Sequence, residues 1–67
     1  MHYVYILRDR NGKWYIGYTA DLNRRVKQHP GYELIYYEAY DSKKQAVERE
    51  RKLKYYGSAW RALRDRI

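Results

Sequence analysis

The stretch Tyr3–Thr19, YVYILRDRNGKWYIGYT, decides the fold. It carries four tyrosines, one tryptophan and an Asn11-Gly12 turn signal. Tyr3, Tyr5 and Leu7 fall on one face of its first run, and Val4 and Ile6 on the other. Apolar residues on both faces predict a central strand over His2–Arg8, covered from two sides. Lys13–Thr19 reads as its hairpin partner, joined around Asn11-Gly12.

Loop length decides which tyrosines meet. A two-residue Asn-Gly turn pairs Arg10 with Lys13 and sends Tyr5 and Tyr15 to opposite faces of the sheet. A three-residue loop, Arg10-Asn11-Gly12 with Gly12 left-handed, pairs Asp9 with Lys13. Leu7 then opposes Tyr15, Tyr5 opposes Gly17, and the glycine leaves open space beside the Tyr5 ring. Both loops are common, so the hairpin residues alone leave the choice open.

Beyond the hairpin, Asp21 reads as the N-cap of a helix through His29, stopped by Pro30-Gly31. Leu22, Val26 and His29 share a face at helical spacing. Glu33–Tyr40, ELIYYEAY, reads as a third strand. Ser42-Lys43-Lys44-Gln45 fits a capping box that opens a helix to Tyr56. Gly57 fits the position after that helix, and Ser58 can cap a last one with Trp60, Leu63 and Ile67 as its apolar stripe. The expected fold class is α/β of the α+β kind, a three-stranded antiparallel sheet flanked by helices in ββαβαα order.

The chain of 67 residues is expected to form a single domain, residues 1–67. A chain this short buries only about 60% of the surface its unfolded form exposes, so its core must be dense in large side chains. Ten Tyr and two Trp, with no Phe, meet that need. Without cysteine there is neither a disulfide nor a thiolate metal site. The opening MHYVYIL has no basic leader and no long apolar run, so the expected location is cytoplasmic, with no membrane partner. Fifteen Lys and Arg against eight acids give a formal charge of +7, the electrostatic footprint of a nucleic-acid binder. Nine of the fifteen are Arg, whose guanidinium forks onto phosphate.

Two charges sit against the pattern. The second helix is expected to bury Ala46, Val47 and Leu53, and at about 100° per residue Glu50 falls in the middle of that stripe. An unpaired buried carboxylate is costly, so Glu50 needs a partner. Arg25 flanks the apolar face of the first helix. One reading is an Arg25–Glu50 salt bridge between helices. The other is that Glu50 holds a divalent cation and Arg25 a phosphate.

Taken together, these residues resemble the GIY-YIG nuclease superfamily. Tyr3-Val4-Tyr5 corresponds to its first motif and Tyr15-Ile16-Gly17 to its second. DLNRRVKQH looks like the family's Leu-x-x-Arg-x-x-x-His helix, and AVERERKLK like the stretch that supplies a metal-binding glutamate. The small stand-alone bacterial proteins of the superfamily are the most similar branch. The resemblance implies catalytic residues Tyr5, Tyr15, Arg25, His29 and Glu50. It implies Mg²⁺ or Mn²⁺ on Glu50, and an endonuclease acting on DNA, with DNA repair as a setting. It also requires both tyrosines on one face, which favours the loop of odd length. Lys13, Arg24, Lys27 and Lys54 are candidates for the nucleic-acid path, with the basic last helix. Tyr3 stands where the motif name has glycine. The loop between histidine and third strand is reduced to Pro30-Gly31-Tyr32, which implies weak substrate binding if that loop grips DNA. The alternative function is a catalytically weak or inactive nucleic-acid-binding module of the same fold. A protein-interaction domain using exposed tyrosines is a third, and a homodimer would cover apolar surface that so small a chain leaves open.

Overall fold

In the computed structural model, which describes residues 1–67, the chain forms β1 (His2–Arg8), β2 (Trp14–Thr19), α1 (Leu22–Lys27), β3 (Glu33–Tyr40), α2 (Lys43–Tyr55) and α3 (Gly57–Arg64). The sheet is antiparallel in the order β2-β1-β3, so β1 is central, as its two apolar faces require. No helix is long and apolar enough to cross a membrane.

The hairpin adopts the three-residue loop. Gly12 has φ +83°, its N–H donates to the Asp9 carbonyl at 3.1 Å, and the Asp9 N–H donates to the Lys13 carbonyl at 2.9 Å. The Asp9 carboxylate accepts from the N–H groups of Asn11 and Lys13 at 2.8 and 2.9 Å. Those bonds hold the longer loop closed. The resulting register pairs Leu7 with Tyr15 and Tyr5 with Gly17.

Val4 and Ile6 are fully buried on one face of the sheet, packed with Ala46 and Leu53 of α2 and Leu63 of α3. Burial of side chains of this size stabilises by about 1.5–3 kcal/mol each. On the opposite face, Tyr5 and Leu7 are buried as well.

Several boundaries differ from the expected ones. Helix α1 ends at Lys27, not His29, because a residue before proline is pushed out of the helical region. Its Asp21 cap is as expected, accepting from the Arg24 N–H at 3.1 Å. Helix α2 has its Ser42 cap, but ends at Tyr55. Extended Tyr56 (φ −117°, ψ 98°) then makes the turn, so no left-handed glycine is needed. Gly57 therefore opens α3 instead of ending α2, and Ser58 lies in its first turn without capping it. Val47 is 39% exposed, while Arg49 and Glu50 flank the buried Ala46–Leu53 line. Long charged side chains lay their stems along the apolar stripe and keep the charged ends polar-solvated. Ile67 lies past the end of α3 and is exposed, leaving Trp60 and Leu63 as the inward residues.

Candidate active site

Even register brings Tyr5 and Tyr15 to one face, and the α1–β3 connection adds two more rings. Tyr5, Leu7, Tyr15, Ile16, His29 and Tyr32 line a pocket of about 270 Å³. The Tyr32 ring stands edge-on to Tyr15 at 5.3 Å and to His29 at 5.7 Å, so one tyrosine wedges the two apart at fixed angles. Sequence reasoning passed over Tyr32; its place directly after the Gly31 turn was the available signal.

The Tyr5 ring lies against the Gly17 backbone. A Cβ built on Gly17 would overlap Tyr5 Cζ and its hydroxyl oxygen. The Tyr5 hydroxyl has no protein partner and is not sealed from solvent, which leaves it free for water or substrate. Gly17→Ala is accordingly expected to push the Tyr5 ring out of the pocket and destabilise the fold by about 1–3 kcal/mol. Urea titration reads the stability, and near-UV circular dichroism reads the ring; an unchanged midpoint with an unchanged spectrum would refute the close fit.

His29 Nδ1 lies 2.9 Å from the Arg25 carbonyl. A carbonyl only accepts, so Nδ1 carries the hydrogen. In the neutral ring Nε2 is then the basic nitrogen. The Tyr15 hydroxyl donates to Asp9 at 3.3 Å, and Lys13 Nζ sits 5.4 Å from the Tyr15 ring centre. Desolvation by the packed rings, then the Tyr32 hydroxyl and the Asp9 carboxylate, push the Tyr15 phenol above its ordinary value. Tyr15 is thereby set as a hydrogen-bond donor. Asp9 itself is held below the usual carboxylate range, chiefly by the Lys13 N–H.

Arg25 is half-buried and lines a second cleft, of about 350 Å³, with Thr19, Ala20, Asp21, Arg24 and Gln28. No ion pair or hydrogen bond engages its guanidinium. The Asp21 carboxylate in the same cleft is occupied with capping α1. The Arg25–Glu50 bridge does not form. Helix α2, which carries Glu50, covers the Val4–Ile6 face of the sheet, and His29, just after α1, enters the pocket on the Tyr5 face.

Glu50 therefore does not join the tyrosine pocket directly. Its carboxylate, 21% exposed, pairs with Lys54 one turn along α2 at 3.4 Å. Lys54 in turn borders a cleft at the β2 edge that Tyr15 and Ile16 also line. No group of three or more His, Cys, Asp or Glu side chains is assembled for a metal. One carboxylate still suits Mg²⁺, which keeps several waters and takes substrate phosphate oxygens alongside one or two carboxylates. For Glu50 to serve that way, the Lys54 ammonium must yield. Arg24 and Lys27 lie exposed on α1, close in sequence to Arg25.

A family model for the GIY-YIG catalytic domain matches residues 1–33, the segment holding both tyrosines, Arg25 and His29. A UPF0213 protein of Halalkalibacterium halodurans is 36% identical, with the match covering 81% of this chain and 70% of the relative. A UPF0213 protein of Halobacterium salinarum is 35% identical (81% of this chain, 86% of the relative). One from Staphylococcus epidermidis is 36% identical, at 82% of each. The solution NMR structure of a UPF0213 protein from Bacillus halodurans superposes with a TM-score of 0.60 at 35% identity, covering 79% of this chain and 69% of that one. The chain belongs to the GIY-YIG family, among its small UPF0213 proteins.

Proposed function

We propose that this protein is a metal-dependent endonuclease that hydrolyses phosphodiester bonds in DNA with little sequence preference of its own, working as a single domain over residues 1–67. The observation that carries the reading is the shared pocket of Tyr5, Tyr15 and His29, with the Arg25 carbonyl bonded to His29 and the Arg25 guanidinium unengaged.

In this mechanism His29 Nε2 takes the proton of the attacking water, because the Arg25 carbonyl holds the other nitrogen as a donor. The free Tyr5 hydroxyl orients that water. Tyr15, kept protonated, donates to the phosphate once substrate draws its hydroxyl from Asp9. Arg25 offers forked donors to the charge that builds on the phosphate in the transition state. Mg²⁺ or Mn²⁺ held by Glu50 would supply Lewis-acid stabilisation of the charge that develops on the leaving 3′ oxygen. Lys13, Arg24, Lys27 and Lys54 give salt-dependent affinity along the backbone without reading sequence.

The role of His29 has its own test. His29→Gln is expected to lower the cleavage rate by about 10²–10⁴-fold. Tyr15→Phe is expected to slow cleavage less. Near-normal cleavage by His29→Gln with the larger loss in Tyr15→Phe would transfer the base role to the tyrosine.

The Glu50–Lys54 pair favours a second reading, a nucleic-acid-binding module with little or no turnover. Cleavage of labelled single-stranded, duplex and branched DNA at low salt, with Mg²⁺, Mn²⁺ or EDTA, separates the two. Metal-dependent cutting supports the nuclease. Salt-sensitive binding without cutting supports the module.

A further inference from the structure

Trp14 and Trp60 are the only tryptophans of the chain, and they meet edge-on with ring centres 5.4 Å apart. With Tyr15, Ile16, Leu53 and Lys54 they line an open cleft of about 440 Å³ at the free edge of β2. Both indoles are only partly buried, so they are packed against the core and still accessible. The guanidinium of Arg64 sits 6.0 Å from the Trp14 ring centre. Tyr15 and Ile16 line this cleft and the tyrosine pocket alike, so the two share a wall at the edge strand. The mechanism proposed above makes no use of either tryptophan.

We propose that this cleft is a nucleobase subsite, taking one unstacked base next to the phosphate held at Tyr5, Tyr15 and Arg25. The inference rests on the nucleic-acid reading of the neighbouring pocket. An apolar, aromatic-walled cleft flanked by Lys54 and Arg64 matches the chemistry of a nucleotide, a flat π face attached to an anion. Bases stack on aromatic side chains with little regard to identity, and the cations hold the backbone. A base in a closed duplex cannot enter, so the subsite selects for unpaired or frayed positions.

The two tryptophans make the test direct, since all indole fluorescence originates in this cleft. The full chain is titrated at low salt in EDTA with an oligothymidylate, and with an abasic sugar–phosphate oligomer of equal length. Tryptophan emission and fluorescence anisotropy of the labelled oligomers are followed together. The expected result is quenching by thymidylate, with the abasic oligomer binding but leaving emission unchanged. Trp60→Leu is expected to weaken thymidylate binding by about tenfold or more and to leave abasic binding as it was. Trp60→Phe, which keeps an aromatic wall against the core, is expected to restore most of the loss if the fold is the same by circular dichroism. Equal quenching by both oligomers, or binding of both without quenching, would overturn the subsite and leave the nuclease reading standing. No binding of either oligomer would overturn the subsite and the nucleic-acid reading together. Emission that depends on protein concentration alone would mean that a second copy occupies the cleft.

Discussion

Glu50→Gln is expected to abolish metal-dependent cleavage, by at least about a hundredfold, in a protein that remains fully folded. The separation follows from where Glu50 sits. Its one ionic partner is Lys54, a neighbour at i,i+4 on the same helix and 42% exposed. Pairs of that kind contribute about 0.3–0.5 kcal/mol. Removing the charge therefore leaves the Ala46–Leu53–Leu63 core untouched and shifts a urea midpoint hardly at all. Glutamine keeps the shape but is a poor ligand for a hard dication. Cleavage assays with Mg²⁺ and Mn²⁺ beside urea denaturation of both proteins decide the matter. Loss of several kcal/mol would make Glu50 a structural residue. Undiminished cutting would remove it from the site.

Glu38→Ala is expected to have the opposite profile, a large loss of stability at a residue remote from the tyrosine pocket. Glu38 lies on the helix-covered face of β3, opposite Val4. It accepts from Arg49 at 3.0 and 3.2 Å, from Tyr36 at 2.5 Å and from Tyr40 at 2.6 Å. Only 16% of its side chain is exposed. Removing it orphans a half-buried guanidinium and two hydroxyls at once, at a cost of about 2–4 kcal/mol. A double variant with Arg49→Met is expected to lose less than the two single losses added, because no charge is left unpaired. Strict additivity would show that the cluster is not coupled.

The same cluster sets how stability depends on pH. Burial pushes the Glu38 carboxyl up, and the hydrogen bonds from Arg49, Tyr36 and Tyr40 outweigh it, so the group ends below its ordinary value of 4.5. A depressed carboxyl adds stability above the unfolded value and loses it as pH falls through the folded one. Acid destabilisation beginning below about pH 4.5 is therefore expected in the wild type and is expected to be reduced in Glu38→Ala. At the alkaline end, burial and then Glu38 push Tyr40 from 10.0 up to about 12. The stability it contributes is full below pH 10 and is lost as pH rises through about 12.

The Glu38 cluster illustrates what could not be read in advance. ELIYYEAY reads as a strand from composition. Which of its residues face the helices depends on the irregularity between Ile6 and Leu7, where the β1–β3 register shifts. Arg49 is three residues from Ala46 and four from Leu53, a flank that charge alone would send to solvent. Its partner is on a different element, eleven residues away. Glu50 was visible as a charge within an apolar stripe, but its partner proved to be a local lysine and not Arg25.

The sequence by itself determined the strands, the Asp21 and Ser42 caps and the antiparallel order. The set Tyr5, Tyr15, Arg25, His29 and Glu50 came from the motifs' resemblance to the GIY-YIG superfamily. The strands and caps rest on local chemistry: side-chain alternation, and capping hydroxyls and carboxylates. The resemblance favoured the three-residue hairpin loop that forms; only the tertiary structure put Tyr32 between Tyr15 and His29 and carried His29 and α2 to different faces of the sheet. Each of those outcomes depends on groups distant in the chain meeting across the sheet or around its edge. A one-residue change of register would have sent Tyr15 to the other face; the local Asp9 bonds hold the loop, and packing against both faces of β1 adds to them in fixing the register.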